Sequence, residues 1–237
     1  NDVAGNFLFH NQRNGKFREV GLMAGVAFDR NGMPHGNMGV DCADYDNDGL
    51  LDFYVTAFKT ESAVLYRNLG HGLFEDVTLQ TGAGTGTLAN VTWGCGFADF
   101  DNDGRRDLFI ACGHIDDNAS MYDDTATYAC RPIILRQMPD GKFKPVTAMA
   151  GDAAKVRGVG RGIGLDDLDN DGRIDVVILN SRDKPMVLRN ESETGNHWLQ
   201  IRLQGKESNR DGVGARVKVV AGDLVQIDEV HSGRSYQ

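Results

Sequence analysis

The chain has 237 residues, is 41% hydrophobic and carries a net charge of −9 from 25 basic and 34 acidic residues. That is enough for one large domain, or one with a small appendage, around a real core. No apolar run reaches the roughly 18 residues that a membrane-spanning helix needs, and an acidic balance lacks the basic face of a nucleic-acid binder. Thirty glycines and little helical periodicity point to short strands joined by tight turns.

The chain opens on Asn6-Phe7-Leu8-Phe9-His10-Asn11 and then Asn14-Gly15-Lys16-Phe17, a hairpin pattern. It matches the second half of the units that follow, so residues 1–36 are expected to be a partial unit that starts midway. The first complete unit, 37–92, places Gly39 before alternating Val40 and Cys42. It continues with an aspartate loop, Asp44-Tyr45-Asp46-Asn47-Asp48-Gly49-Leu50-Leu51-Asp52, then the β-rich Phe53-Tyr54-Val55, then Leu65-Tyr66-Arg67-Asn68, then a His71-Gly72 turn and Phe74. The second, 93–159, repeats this as Gly94, Cys95 and Phe97, the loop Asp99-Phe100-Asp101-Asn102-Asp103-Gly104-Arg105-Arg106-Asp107, Leu108-Phe109-Ile110, Leu135-Arg136-Gln137, Asp140-Gly141 and Phe143. Within it lies a polar insertion, 113–132, where His114, Asp116, Asp117, Asp123 and Asp124 suggest either a further site or, as we expect, a solvated loop.

The third unit, 160–192, has Gly162, Ile163 and Leu165, the loop Asp167-Leu168-Asp169-Asn170-Asp171-Gly172-Arg173-Ile174-Asp175, Val176-Val177-Ile178-Leu179 and Leu188-Arg189-Asn190. About four strands per unit is the content of a propeller blade. The fold expected is all-β: a β-propeller of which about three and a half blades are present over 1–192, then a small β domain over 193–237. In that tail Trp198-Leu199-Gln200-Ile201-Arg202-Leu203, Ala215 to Val219 and Val225 to Ile227 all alternate as strands do, around a turn-rich Ser208-Asn209-Arg210-Asp211-Gly212-Val213-Gly214. Trp93 and Trp198 sit in apolar strand contexts and are expected in the core. Cys42 and Cys95 read as small buried hydrophobes, while Cys112 and Cys130 bracket the insertion and admit both a bridge and two thiols. Sequons at Asn90, Asn118 and Asn190 matter only in a eukaryotic secretory host.

The loops concentrate the acidity, since with their twelve aspartates set aside the remaining 22 acidic residues are fewer than the 25 basic ones. Calcium takes 6–8 oxygens at about 2.3–2.6 Å. Positions 1, 3, 5 and 9 of each loop offer carboxylates and position 7 a main-chain carbonyl. The expected ligands are therefore Asp44, Asp46, Asp48, Leu50 and Asp52; Asp99, Asp101, Asp103, Arg105 and Asp107; and Asp167, Asp169, Asp171, Arg173 and Asp175. About three Ca²⁺ ions are expected, one to a loop. Glycine at position 6 allows the sharp turn and asparagine at position 4 tolerates it. An EF-hand is excluded, because position 12 is Val55, Ile110 or Ile178 rather than glutamate and the flanks are strands. Without a cation, four carboxylates so close together would repel.

The loop, the apolar strand after it and the Leu-x-Arg-Asn element resemble the FG-GAP/VCBS repeat, whose loops are related to those of the integrin α-subunit propeller. Asn196-His197-Trp198-Leu199 and the stretch from Ser208 to Val217 resemble the ASPIC/UnbV domain. Together they are similar to the cartilage acidic protein family and its bacterial relatives. That resemblance implies a secreted, cell-surface or periplasmic protein, a calcium-bearing propeller, no established catalysis, and a chain that is a fragment of something longer. The function expected is an extracellular binding or adhesion module for a protein or glycan, or for further copies of itself. The alternatives are a structural subunit of a surface layer or filament and a calcium-dependent polysaccharide-acting enzyme. No nucleic-acid partner, membrane span, catalytic residue or organic cofactor is expected. Gly-x-Ser-x-Gly and His-Glu-x-x-His are absent, and the six histidines, His10, His35, His71, His114, His197 and His231, are scattered.

Overall fold

The computed structural model describes residues 2–207, 209–233 and 235–236. A hairpin of β1 (Phe9–Asn11) and β2 (Phe17–Glu19) comes first, followed by a one-turn helix at Gly21–Ala24. A four-stranded antiparallel meander follows: β3 (Asn37–Ala43), β4 (Asp52–Ala57), β5 (Val64–Asn68) and β6 (Phe74–Asp76). The second meander repeats it as β7 (Thr92–Ala98), β8 (Asp107–Cys112), β9 (Ile133–Gln137) and β10 (Phe143–Pro145). A three-stranded sheet of β11 (Gly160–Asp166), β12 (Asp175–Asn180) and β13 (Met186–Leu188) comes third, then a hairpin of β14 (Arg216–Ala221) and β15 (Leu224–Glu229). The sheets are separate ladders, and no closed barrel forms among the described residues.

The two four-stranded sheets have apolar residues on both faces because each packs between neighbours, and the two-residue period of a strand sorts them. In β4 and β5, Tyr54 and Leu65 face the second sheet, where they join Phe97, Leu108, Ile110 and Leu135 in the largest buried cluster. Their chain neighbours Phe53, Val64 and Tyr66 face the other way, onto Leu8, Val20 and Ala24 of the N-terminal half-unit. In β8, Phe109 and Ala111 likewise turn from Leu108 and Ile110 to meet Val176 and Ile178 of the third sheet. A unit of this kind buries its faces only by stacking.

The first strands β3, β7 and β11 run side by side. In all three first-strand pairings the register shifts in the same place, between Asn37 and Val40, Thr92 and Cys95, and Gly160 and Ile163. The glycine preceding each loop by five residues sits in that irregularity, and for two of them the close neighbour is evident. A Cβ on Gly39 would collide with the carbonyl oxygen of Trp93, and one on Gly94 with that of Arg161. Thr56 completes the seam by donating its hydroxyl to the same Trp93 carbonyl at 2.5 Å while accepting from the Gly39 amide.

Two expectations change. Trp198–Leu203 alternates, yet it joins no ladder; it runs exposed and has no neighbouring strand to pair with, and without pairing the extended conformation is not stabilised. Trp198 is accordingly 51% exposed rather than in the core, whereas Trp93 is buried with its indole N–H donated to the Gly113 carbonyl. No disulfide joins the cysteines, and Cys112 and Cys130 are buried thiols. Ser208 of the tail motif, and the end residues Asn1 and Gln237, lie outside the described residues. No described helix is long and apolar enough to cross a membrane.

The seam makes a sharp prediction. Gly39→Ala should destabilise the fold by about 1–3 kcal/mol, the cost of overpacking against rigid backbone. Gly164→Ala, where the nearest atom to an added Cβ is Val177 Cβ at 4.0 Å, should stay within about 0.5 kcal/mol of the parent. Urea unfolding of both variants checks it; equal midpoints would remove the steric role assigned to Gly39.

Candidate metal centres

Each aspartate loop joins the first strand of its sheet to the second, and the backbone repeats in all three. The asparagine at position 4 takes a left-handed conformation (Asn47 φ 57°, Asn102 φ 55°, Asn170 φ 58°), as does the glycine at position 6 (Gly49 φ 90°, Gly104 φ 88°, Gly172 φ 84°). Position 1 closes the turn from inside. Asp44 accepts the amides of Asp48 and Gly49 at 3.0 and 2.9 Å, Asp99 those of Asp103 and Gly104 at 2.9 and 2.7 Å, and Asp167 those of Asp171 and Gly172 at 3.0 and 2.9 Å. Position 5 accepts the amide of position 7: Leu50 to Asp48, Arg105 to Asp103 and Arg173 to Asp171.

Position 9, the first residue of β4, β8 and β12, is buried and ties the loop to its sheet. Asp52 accepts the amide of Tyr45 through one oxygen and that of Asn68 through the other, at 3.1 and 2.8 Å. Asp107 does the same with Phe100 and Gln137, and Asp175 with Leu168 and Asn190. This gives the Leu-x-Arg-Asn element its role, which the sequence displayed without explaining. The last residue supplies the amide, and the arginine before it reaches back to the loop. Arg67 Nε lies 2.7 Å from Asp46, Arg189 Nε lies 2.8 Å from Asp169, and Arg136 pairs with Asp101.

Three carboxylates converge in each loop with one oxygen of each within 4.8 Å of the others: Asp44, Asp46 and Asp48; Asp99, Asp101 and Asp107; Asp167, Asp169 and Asp175. The fourth aspartate is placed differently. In the first loop it is Asp52, and in the second and third it is Asp103 and Asp171, which turn to the guanidinium groups of Arg105 and Arg173. Leu50, Arg105 and Arg173 stand at position 7, where their carbonyls are the expected main-chain donors. The donor set, hard carboxylate oxygens with no nitrogen or sulfur, fits a hard divalent cation. Asp101 Oδ1 is buried with no hydrogen-bond partner, an acceptor without a donor at the centre of the second loop. The three clusters can each hold a metal ion.

Electrostatics agrees. Burial, followed in effect by the neighbouring carboxylates, raises Asp44 and Asp46 above the ordinary carboxylate range, and burial likewise raises Asp99 and Asp101. Burial pushes Asp52 and Asp107 up to about 7. Without a cation the first two loops thus hold their charge at a cost.

Sequence reasoning missed two further connections. Asn47 donates its side-chain amide to the Gly104 carbonyl, and Asn102 donates to the Gly172 carbonyl, both at 3.0 Å, so each loop is tied to the next. The tail also reaches them: Trp198 covers Gly172, Leu224 covers Gly104, and Ile227 lies against Gly49. In the insertion, His114 is buried and accepts the Asp116 amide, Tyr122 donates to Asp116, and Lys59 pairs with Asp123. None of the metal-competent groups among the described residues includes them. The Asn190 side-chain amide is spent on the Phe100 carbonyl, which leaves that sequon engaged inside the fold.

Residues 44–110 match the description FG-GAP-like repeat, and residues 205–237 match ASPIC and UnbV. The chain is similar to cartilage acidic protein 1 of Mus musculus, 28% identical over 206 residues, and to that of Homo sapiens, 27% identical over the same length. Each alignment covers 85% of this chain and 29% of the relative, so the chain spans under a third of their length. A solved Agrocybe aegerita lectin that recognises non-reducing terminal N-acetylglucosamine aligns at 18% identity and a TM-score of 0.42, over 81% of this chain and 45% of that one.

The raised carboxylates predict an inversion of pH dependence. With Asp52 and Asp107 at about 7 in the fold against an ordinary 3.8, the metal-free folded chain holds more protons than the unfolded chain in between. Its stability therefore falls as pH rises from about 4 to about 7. With a bound dication, deprotonated ligands are required and stability rises over the same window. Melting temperatures across that range, in chelator and in millimolar calcium, should slope in opposite directions; parallel slopes would contradict the account.

Proposed function

We propose that the chain is a calcium-binding module of the extracellular space that holds a protein or glycan partner and performs no catalysis itself, its sheets serving as blades of a β-propeller. The observation that carries this reading is the threefold identity of the loops, with the same left-handed positions and the same amide-to-carboxylate bonds. An acidic turn formed by chance has no reason to recur in register on three successive sheets. Calcium is preferred over magnesium because the oxygen-rich, partly open loops suit a large, flexible shell, whereas magnesium demands a tight octahedron and keeps its waters. The propeller arrangement is supported by four-stranded meanders stacked face to face with their first strands adjacent. A relative named for cartilage supports looking for the partner in an extracellular matrix. The absence of a recognisable nucleophile–base motif, with the loop carboxylates tied to amides and arginines, favours binding over turnover.

A bound ion would neutralise the crowded carboxylates and hold the loop backbone in one conformation. Asp44, Asp99 and Asp167 would then form the inner side of each site and Asp46, Asp101 and Asp169 the outer side. Titration calorimetry on chelator-treated protein should find about three calcium ions per chain, one to each loop. Asp99→Ala should abolish one of them. At a free concentration 100-fold above Kd each site adds about 2.7 kcal/mol, so EDTA should lower the melting temperature by more than about ten degrees. Identical melting curves in EDTA and in millimolar calcium would refute structural metal sites. Partner capture from matrix protein and glycan panels should be lost in EDTA.

A further inference from the structure

The segment from Thr194 to Glu229 crosses all three aspartate loops. Thr194 and Asn196 donate side-chain hydrogen bonds to the main-chain carbonyl of Asp101 at 2.8 and 2.9 Å. Arg216 donates to the Gly49 carbonyl, and Asp228 pairs with Arg106 at 2.8 Å. The apolar contacts fall on the one position of each loop that has no side chain. Leu224 occupies the space a Cβ on Gly104 would need, Trp198 that of Gly172, and Ile227 Cδ1 stands 3.4 Å from a Cβ built on Gly49. The tail therefore contacts the loops' main chain, and it touches them where their left-handed turns are sharpest.

We propose that the tail is a metal-gated clasp: hairpin β14–β15 and Trp198 dock on the loop face only when the loops hold their ions, and docking in turn tightens ion binding. This rests on the metal reading above. The carbonyls of Gly49 and Gly104 and the bare glycine surfaces line up only while each turn keeps its left-handed geometry. A loop whose carboxylates repel one another loses that geometry, and with it the platform. Linkage makes the effect mutual: whatever ions contribute to docking, docking contributes to ion affinity. The links from Asn47 to Gly104 and from Asn102 to Gly172 spread the response across the face, so the clasp closes on three loops together.

The test uses the whole chain. Hydrogen–deuterium exchange is followed at β14–β15 and at β8 in calcium and in EDTA, and calcium Kd values are measured for the parent, for Leu224→Ser/Ile227→Ser and for Trp198→Ala. None of the replaced side chains is a ligand. The clasp requires hairpin amides to exchange at least about tenfold faster in EDTA while β8 stays protected. It also requires the double variant to bind the same number of ions at least about fivefold more weakly, and Trp198→Ala to weaken binding in the same direction. Should EDTA open β8 as well, the Kd comparison, made in calcium throughout, decides. Calcium heat with unchanged hairpin protection overturns the clasp, as does a double variant whose hairpin exchanges freely at parental Kd. No calcium heat at all overturns the metal reading itself, so the two failures are distinguishable.

Discussion

The loop face depends on one buried carboxylate in each unit. Asp52, Asp107 and Asp175 start the second strand of their sheets, and each holds two main-chain amides from different places, one in the loop and one at the end of the third strand. Hydrogen bonds to a charged acceptor are the strong kind, and here they join three chain segments that would otherwise meet only through side chains. Without this tie the loop would be a flexible turn between strands. With it, the aspartates at positions 1 and 3 are brought to the same point in space three times over.

Beneath that face, packing is a matter of period. Successive residues of β4, β5 and β8 are apportioned alternately to the sheet before and the sheet after, so Leu108 and Phe109 belong to different clusters although they are neighbours in the chain. The sheets can approach because the first strands carry glycine where the next strand's carbonyl comes closest. The geometry of the carboxylate clusters and the core are thus set by the same few turns and glycines.

The repeat, its strands and the carboxylate clusters were legible in the sequence because they depend on local chemistry: a loop's spacing, a two-residue alternation, a glycine five residues upstream. The partners of position 9 were visible as a recurring Leu-x-Arg-Asn but had no assigned role, since their meaning lies in a contact some fifteen to thirty residues away in the chain. Trp198 shows the opposite error. Its alternating context predicts a strand, yet alternation stabilises nothing where no second strand runs alongside, and the indole instead rests on Gly172. The division of the aspartates in the second and third loops, three converging and one turned aside, was likewise illegible, because it accompanies ion pairs of Asp103 with Arg105 and of Asp171 with Arg173 that spacing does not reveal.

The bonds from Asn47 to Gly104 and from Asn102 to Gly172 have an evolutionary consequence. Loops one and two present the same donor at position 4, and loops two and three the same acceptor at position 6. The second unit therefore carries both halves of a junction, one for each neighbour. A gene segment encoding such a unit carries both the donor and the acceptor that a tandem copy would need at the loop face. Length is free to vary at the opposite end of the sheet, as the insertion between β8 and β9 shows. The molecule is modular because its joints are standardised, and new contacts can be added at the far ends of the strands while the joints stay as they are.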